Sequence, residues 1–247
     1  MKRTTLTYPS FKVFKREIYN KISEAEKNRL FYWSLFDPSS WEESELTASA
    51  LPAYLPSIPR RKQSILGILK KSPRIKKTFI DTGKREEFFA KFANGEILTN
   101  YLLAAALSEH LRNKGISGYQ PVDIEKQTFP DVHMRKGGRK NVYLEIKGII
   151  GASNLRDRVN DEVWVNLKKG RRKYKDFCLI LIFPCDKQEA RRINQLIEGF
   201  YIYEWLIKRS TKNNRRVLCC CIRRQNGSDG FSLSKLVERI VNLNHFQ

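Results

Sequence analysis

Two short, wholly apolar runs constrain this chain more than any other feature. Phe177–Phe183 reads FCLILIF and Val217–Ile222 reads VLCCCI. A strand with no polar side must be covered on both faces, as strands inside a layered sheet are. The residues around these runs supply the covering layers. Glu96–Asn113, EILTNYLLAAALSEHLRN, is rich in Leu and Ala and stops at Lys114-Gly115, the composition and the end signal of a helix. Val122–Gln127 and Asp131–Arg135 read as short strands, and Gly137-Gly138 makes a turn. Asn141–Ile146 alternates Val142, Leu144 and Ile146 against Tyr143 and Glu145, the pattern of a half-buried strand. Leu155–Lys169, Gln188–Lys208 and Ser232–Asn242 have helical character. Helices alternating with strands in this order predict an α/β fold with a central mixed β-sheet flanked by helices.

The first third is organised differently. Phe11–Leu35 has helical spacing at Phe11, Phe14, Ile18, Ile22 and Leu30. Pro38, Pro52, Pro56 and Pro59 then break the chain into loops. Ile65–Leu69 and Lys84–Asn94 read as short helices. The expected division is a mostly helical segment over 1–80, suited to DNA recognition or dimerisation, and an α/β core over 81–247.

No apolar run reaches the roughly 18 residues that a membrane span needs. The opening MKRTTLTYPSFKVFKREIY has no apolar stretch of the signal-peptide kind, so a cytoplasmic protein is expected. Five cysteines, three of them adjacent at Cys219–Cys221, fit buried thiols better than a disulfide framework or a zinc site.

Charge points to the partner. Forty-seven Lys and Arg against 26 Asp and Glu give a net charge of +21, a field that captures polyanions. The cations cluster. Pro59–Lys77 holds eight of them and no acid, including Arg60, Arg61, Lys62, Lys70 and Lys71. Lys168–Lys175 holds six, including Arg171 and Arg172. A single run of this kind is often no more than a solvated face. Two runs, with no basic amphipathic helix beside them, favour nucleic acid over a membrane surface. The turn Gly148–Asn154 adds Ser153 and Asn154 as candidate DNA contacts, or is a plain strand-to-helix connection.

Within this basic chain a few carboxylates fall where a cation needs them. Glu145 and Lys147 lie two apart on one strand and so share a face. Asp131, 14 residues before Glu145, starts the preceding strand, and a hairpin through Gly137-Gly138 returns it beside them. Phosphodiester hydrolysis needs a cation for the charge developing on phosphate oxygens, and an activated water. Two carboxylates supply hard oxygen ligands, and a neighbouring lysine orients the water or stabilises the transition state. The carbonyl of Ile146 can complete the metal shell.

Phe129-Pro130-Asp131, a spacer, then Leu144-Glu145-Ile146-Lys147 resembles the PD-(D/E)XK signature of the restriction-endonuclease-like nucleases. The resemblance covers roughly residues 84–225. It implies a Mg²⁺ centre, with Mn²⁺ as a substitute, held by Asp131, Glu145 and the Ile146 carbonyl. It gives Lys147 the catalytic cation, and Glu96, opening the preceding helix, a further metal-reaching carboxylate; Glu109 is the weaker alternative. Asp123, Glu125 and His133 lie nearby with no matching role. The implied activity is a DNA endonuclease, most similar to a type II restriction enzyme that cuts duplex DNA as a homodimer, with a cognate methyltransferase for the same site. A repair or recombination nuclease that reads DNA structure, and a non-catalytic basic nucleic-acid-binding protein, are the other readings.

Overall fold

The computed structural model describes residues 10–35, 96–124, 129–137, 140–148, 165–169, 174, 176–183, 216–221, 224–225, 228–229, 232–244 and 246. Among them the helices are α1 (Phe11–Glu17), α2 (Glu24–Leu35), α3 (Glu96–Asn113), α4 (Val165–Lys169) and α5 (Leu233–Asn244), with a 3-10 turn at Tyr19–Lys21. The strands are β1 (Tyr119–Pro121), β2 (Val132–Lys136), β3 (Lys140–Gly148), β4 (Phe177–Phe183), β5 (Arg216–Cys221) and the two-residue pair β6 (Arg224–Gln225) and β7 (Ser228–Asp229). Strands β1 to β5 form one mixed sheet in chain order. β1, β2 and β3 run antiparallel to their neighbours, while β3, β4 and β5 run parallel. The fold is α/β.

The alternation of β2 and β3 sets the core. Val132, Met134, Val142, Leu144 and Ile146 point to one side of the sheet, joined there by Cys178, Ile180 and Ile182 of β4. Against this side pack α3 and the apolar stripe of α5, formed by Leu233, Leu236, Val237, Ile240 and Val241. The Cys178 thiol is buried in this core. Helix α3 is buried from Ile97 to Leu107 because it has neighbours all round, with α1 and α2 packed on its far side. Its end follows from Gly115, whose φ of +72° lets Ile116 N–H return to Leu111 O (2.9 Å) and Gly115 N–H to Arg112 O (3.0 Å).

The first described segment is part of the same core. Phe11 and Phe14 meet the ring of Tyr101 at 5.6 and 5.2 Å between centroids. Tyr19 donates its hydroxyl to Glu109 Oε2 at 2.8 Å, with Lys27 Nζ 4.1 Å above its ring. Burial, reinforced by that bond to Glu109, pushes the Tyr19 phenol above its ordinary range. Asn28 Oδ1 accepts the Leu233 N–H at 2.9 Å, tying α2 to the start of α5.

Two expectations change. The single helix expected over Phe11–Leu35 is two helices and a 3-10 turn. Ser23 starts the second, its hydroxyl accepting from Glu26 N–H (3.3 Å) while Glu26 Oε2 accepts from Ser23 N–H (3.0 Å). Of the strand expected over Val122–Gln127, residues 122–124 are not strand and 125–127 lie outside the described residues; a strand lies just before, at Tyr119–Pro121, and Asp123 at φ +52° turns the chain out of it. Of the helix expected over Leu155–Lys169, Val165–Lys169 is helical and residues 155–164 lie outside the described residues. The expected helices at Ile65–Leu69, Lys84–Asn94 and Gln188–Lys208 lie outside the described residues. Glu96–Asn113 and Phe177–Phe183 coincide with the bounds read from the sequence. No described helix is long and apolar enough to cross a membrane.

Candidate active site

The register of the β2–β3 hairpin pairs Val132 with Leu144, which sets Asp131 opposite Glu145. The two residues then clasp each other's strand. Asp131 N–H donates to Glu145 Oε2 at 3.0 Å, and Ile146 N–H donates to Asp131 Oδ2 at 2.7 Å. Lys147, on the Glu145 side of β3, brings its Nζ within 2.9 Å of Glu145 Oε1. Charge-assisted bonds of this length orient the carboxylates more firmly than neutral ones would. Asp131, Glu145 and Lys147 therefore stand together, as the spacing implied. Their formal charges sum to −1, so the cluster accommodates a further cation.

Burial differs from the sequence expectation. Glu145 is 3% exposed and Lys147 5%, because β3 is an inner strand flanked by β2 and β4. A half-buried strand was expected; instead β3 is buried from Val142 to Gly148, and Lys147 lines a cleft. That cleft, about 330 Å³ counting the space at its open mouth, is lined by Asp131, Ile146, Lys147 and Gly148. The opposite wall comes from Ser34 and Leu35 of α2 and Thr99 and Asn100 of α3. Ser34 Oγ and Thr99 Oγ1 share a hydrogen bond of 2.8 Å, which fixes the first turn of α3 against the end of α2.

Glu96 opens α3 at the cleft end of the helix. Glu109 does not serve in its place. It lies 13 residues along the helix, about 20 Å at 1.5 Å per residue, and bonds Tyr19 and faces Lys27 (3.9 Å). His133 shares a bond of 2.8 Å with Asn141 Oδ1 and stacks on Tyr143 at 4.6 Å, a satisfied histidine. Arg60, Arg61, Lys62, Lys70, Lys71, Ser153, Asn154, Arg171 and Arg172 lie outside the described residues. Ser34, Thr99 and Asn100 were not singled out from the sequence. Their signal is the polar pair Thr99-Asn100 inside the otherwise apolar stretch Ile97–Leu107.

Among the described residues no group of three or more His, Cys, Asp or Glu converges. The oxygen donors on offer are the carboxylates of Asp131 and Glu145. Mg²⁺ takes one or two carboxylates and keeps waters for the rest of its shell, so this pair fits it. A site for zinc would want nitrogen or sulfur ligands, which are not grouped here. Comparison with models of known protein families, with curated proteins and with solved structures finds no match.

Proposed function

We infer that this chain is a Mg²⁺-dependent DNA endonuclease with a restriction-endonuclease-like core, and that Asp131, Glu145 and Lys147 are its reacting groups. The observation that carries this reading is the reciprocal clasp of Asp131 and Glu145 across the β2–β3 hairpin, at the wall of an open cleft and with Lys147 on the same strand. Mg²⁺ held by the two carboxylates, with the Ile146 carbonyl as a further ligand, would neutralise charge on phosphate oxygens and lower the pKa of a bound water. Lys147 orients that water and stabilises the charge developing on the phosphate. The backbone amides of Asp131 and Ile146 hold the carboxylates in place, so little reorganisation is needed at the moment of reaction. The net charge of +21 supports duplex DNA as substrate, drawn in by its phosphates. Among nucleases, a site-specific type II enzyme acting as a homodimer is the reading preferred over one that recognises branched or damaged DNA.

One observation favours a competitor. Glu145 and Lys147 form a buried ion pair, and such a pair can be purely structural. The two readings part on one experiment. Purified protein is incubated with long duplex DNA and Mg²⁺, and the ends are mapped. The account predicts discrete fragments with defined ends, lost in excess EDTA, with Ca²⁺ supporting binding but little cutting. Full activity in EDTA contradicts the metal centre. Binding without cutting at any divalent concentration leaves a structural pair. Selective cutting of branched DNA moves the role to repair or recombination.

A further inference from the structure

Asn100 lies one turn into α3, on the cleft wall that faces Asp131 and Lys147. It is 3% exposed, and its side-chain amide has no hydrogen-bond partner among the described residues. The neighbouring hydroxyls are already committed. Thr99 is bonded to Ser34, and Ser34 also donates to Phe31 O at 3.0 Å. Neither helix propensity nor packing accounts for an asparagine here. Asn is a poorer helix former than the Leu and Ala that fill the rest of this stretch. Its amide keeps only a narrow opening, at the cleft that Asn100 lines. A nearly buried amide whose remaining access is at a cleft wall is placed to bond whatever enters the cleft.

The chemistry of that occupant follows from the surroundings. The first turn of an 18-residue helix carries the positive end of its dipole, which attracts anions. The amide –NH₂ carries two donors. We propose that Asn100 is a substrate-contacting residue that donates its side-chain N–H to a non-bridging oxygen of the phosphate to be cut, holding it beside Asp131. This rests on the nuclease reading and names an interaction which that reading does not require.

The test uses the full chain with Asn100→Ala and Asn100→Asp. Alanine suits a helix better than asparagine, so Asn100→Ala should melt at a temperature no lower than the unaltered protein. Its single-turnover cleavage of a duplex in Mg²⁺ should slow by about 10- to 100-fold, the loss expected for one hydrogen bond to a charged group. Its Kd for the same duplex in Ca²⁺ should change far less, since most affinity comes from the basic surface. Asn100→Asp, which sets a negative charge against the phosphate oxygen, should be slower still. An unaltered rate in Asn100→Ala overturns the proposal. A second measurement does not depend on cutting. In nitrogen-15 spectra with Ca²⁺ present, the Asn100 –NH₂ pair, assigned by its loss in Asn100→Asp, should shift as duplex is added. A pair that stays fixed at saturating duplex overturns the proposal even if the protein is a nuclease. Should the protein cut no DNA, the nuclease reading fails on that result alone, and the same pair titrated with inorganic phosphate supports the phosphate interaction by moving or overturns it by staying fixed.

Discussion

Glu145 and Lys147 alternate along β3 with Leu144 and Ile146, so the strand that carries the candidate reacting groups also carries core. A change at Lys147 is therefore felt in stability as well as in rate. Lys147→Ala takes the Lys147 cation away from buried Glu145, and breaking a buried pair from one side costs on the order of 3–5 kcal/mol. Replacing both charges, in Glu145→Gln with Lys147→Met, should destabilise less than Lys147→Ala alone, because no uncompensated charge remains. Denaturant unfolding of the two variants checks this. A Lys147→Ala protein as stable as the unaltered one would mean that the pair is solvated in solution. Cleavage by Lys147→Ala, expected to fall by about a hundredfold or more, has to be read well below its own melting temperature.

At the scale of elements, the break between α1 and α2 hangs on one residue. Ser23→Ala removes the cap of α2 and should lower the unfolding free energy by about 1 kcal/mol. Cleavage should keep its normal rate, because Ser23 is 11 residues, about 16 Å of helix, from Ser34 at the cleft. A stable Ser23→Ala protein would show that the cap is dispensable; a slowed one would tie α2 to the reaction. The capping box Ser23–Glu26 was legible in the sequence, but the continuous spacing of Phe14, Ile18, Ile22 and Leu30 ran through it and read as one helix. The strand at Tyr119–Pro121 was missed for a similar reason. Its neighbours Val122 and Ile124 look more strand-like, and only the left-handed backbone at Asp123 ends the pairing. Helix α3 and strand β4 were legible because each is long, apolar and bounded, so packing and propensity agree. Asp131, Glu145 and Lys147 were legible because a period of two on neighbouring strands fixes which side chains meet. Asn100 was not, since Asp131 and Lys147, which share its cleft, lie 31 and 47 residues downstream, and no local period reports that distance.

For the molecule as a whole, the charge of +21 would make the proposed DNA binding a salt-dependent event. Replacing Arg60, Arg61 and Lys62 together with alanine should flatten the slope of log K against log salt by up to about 3, near 0.9 for each phosphate that is no longer neutralised. An unchanged slope would put that run away from DNA. Steering of this kind concentrates substrate but breaks no bond, and the central claim concerns the bond. It is tested most directly by single-turnover cleavage of duplex DNA in Mg²⁺ by the unaltered chain and by Asp131→Asn, with duplex binding followed in Ca²⁺. Asp131→Asn keeps the shape of the side chain and an oxygen for the Ile146 N–H, but removes a charged ligand. The account predicts that cleavage is abolished while the protein stays folded and still binds DNA. Cleavage by Asp131→Asn at the unaltered rate would contradict it.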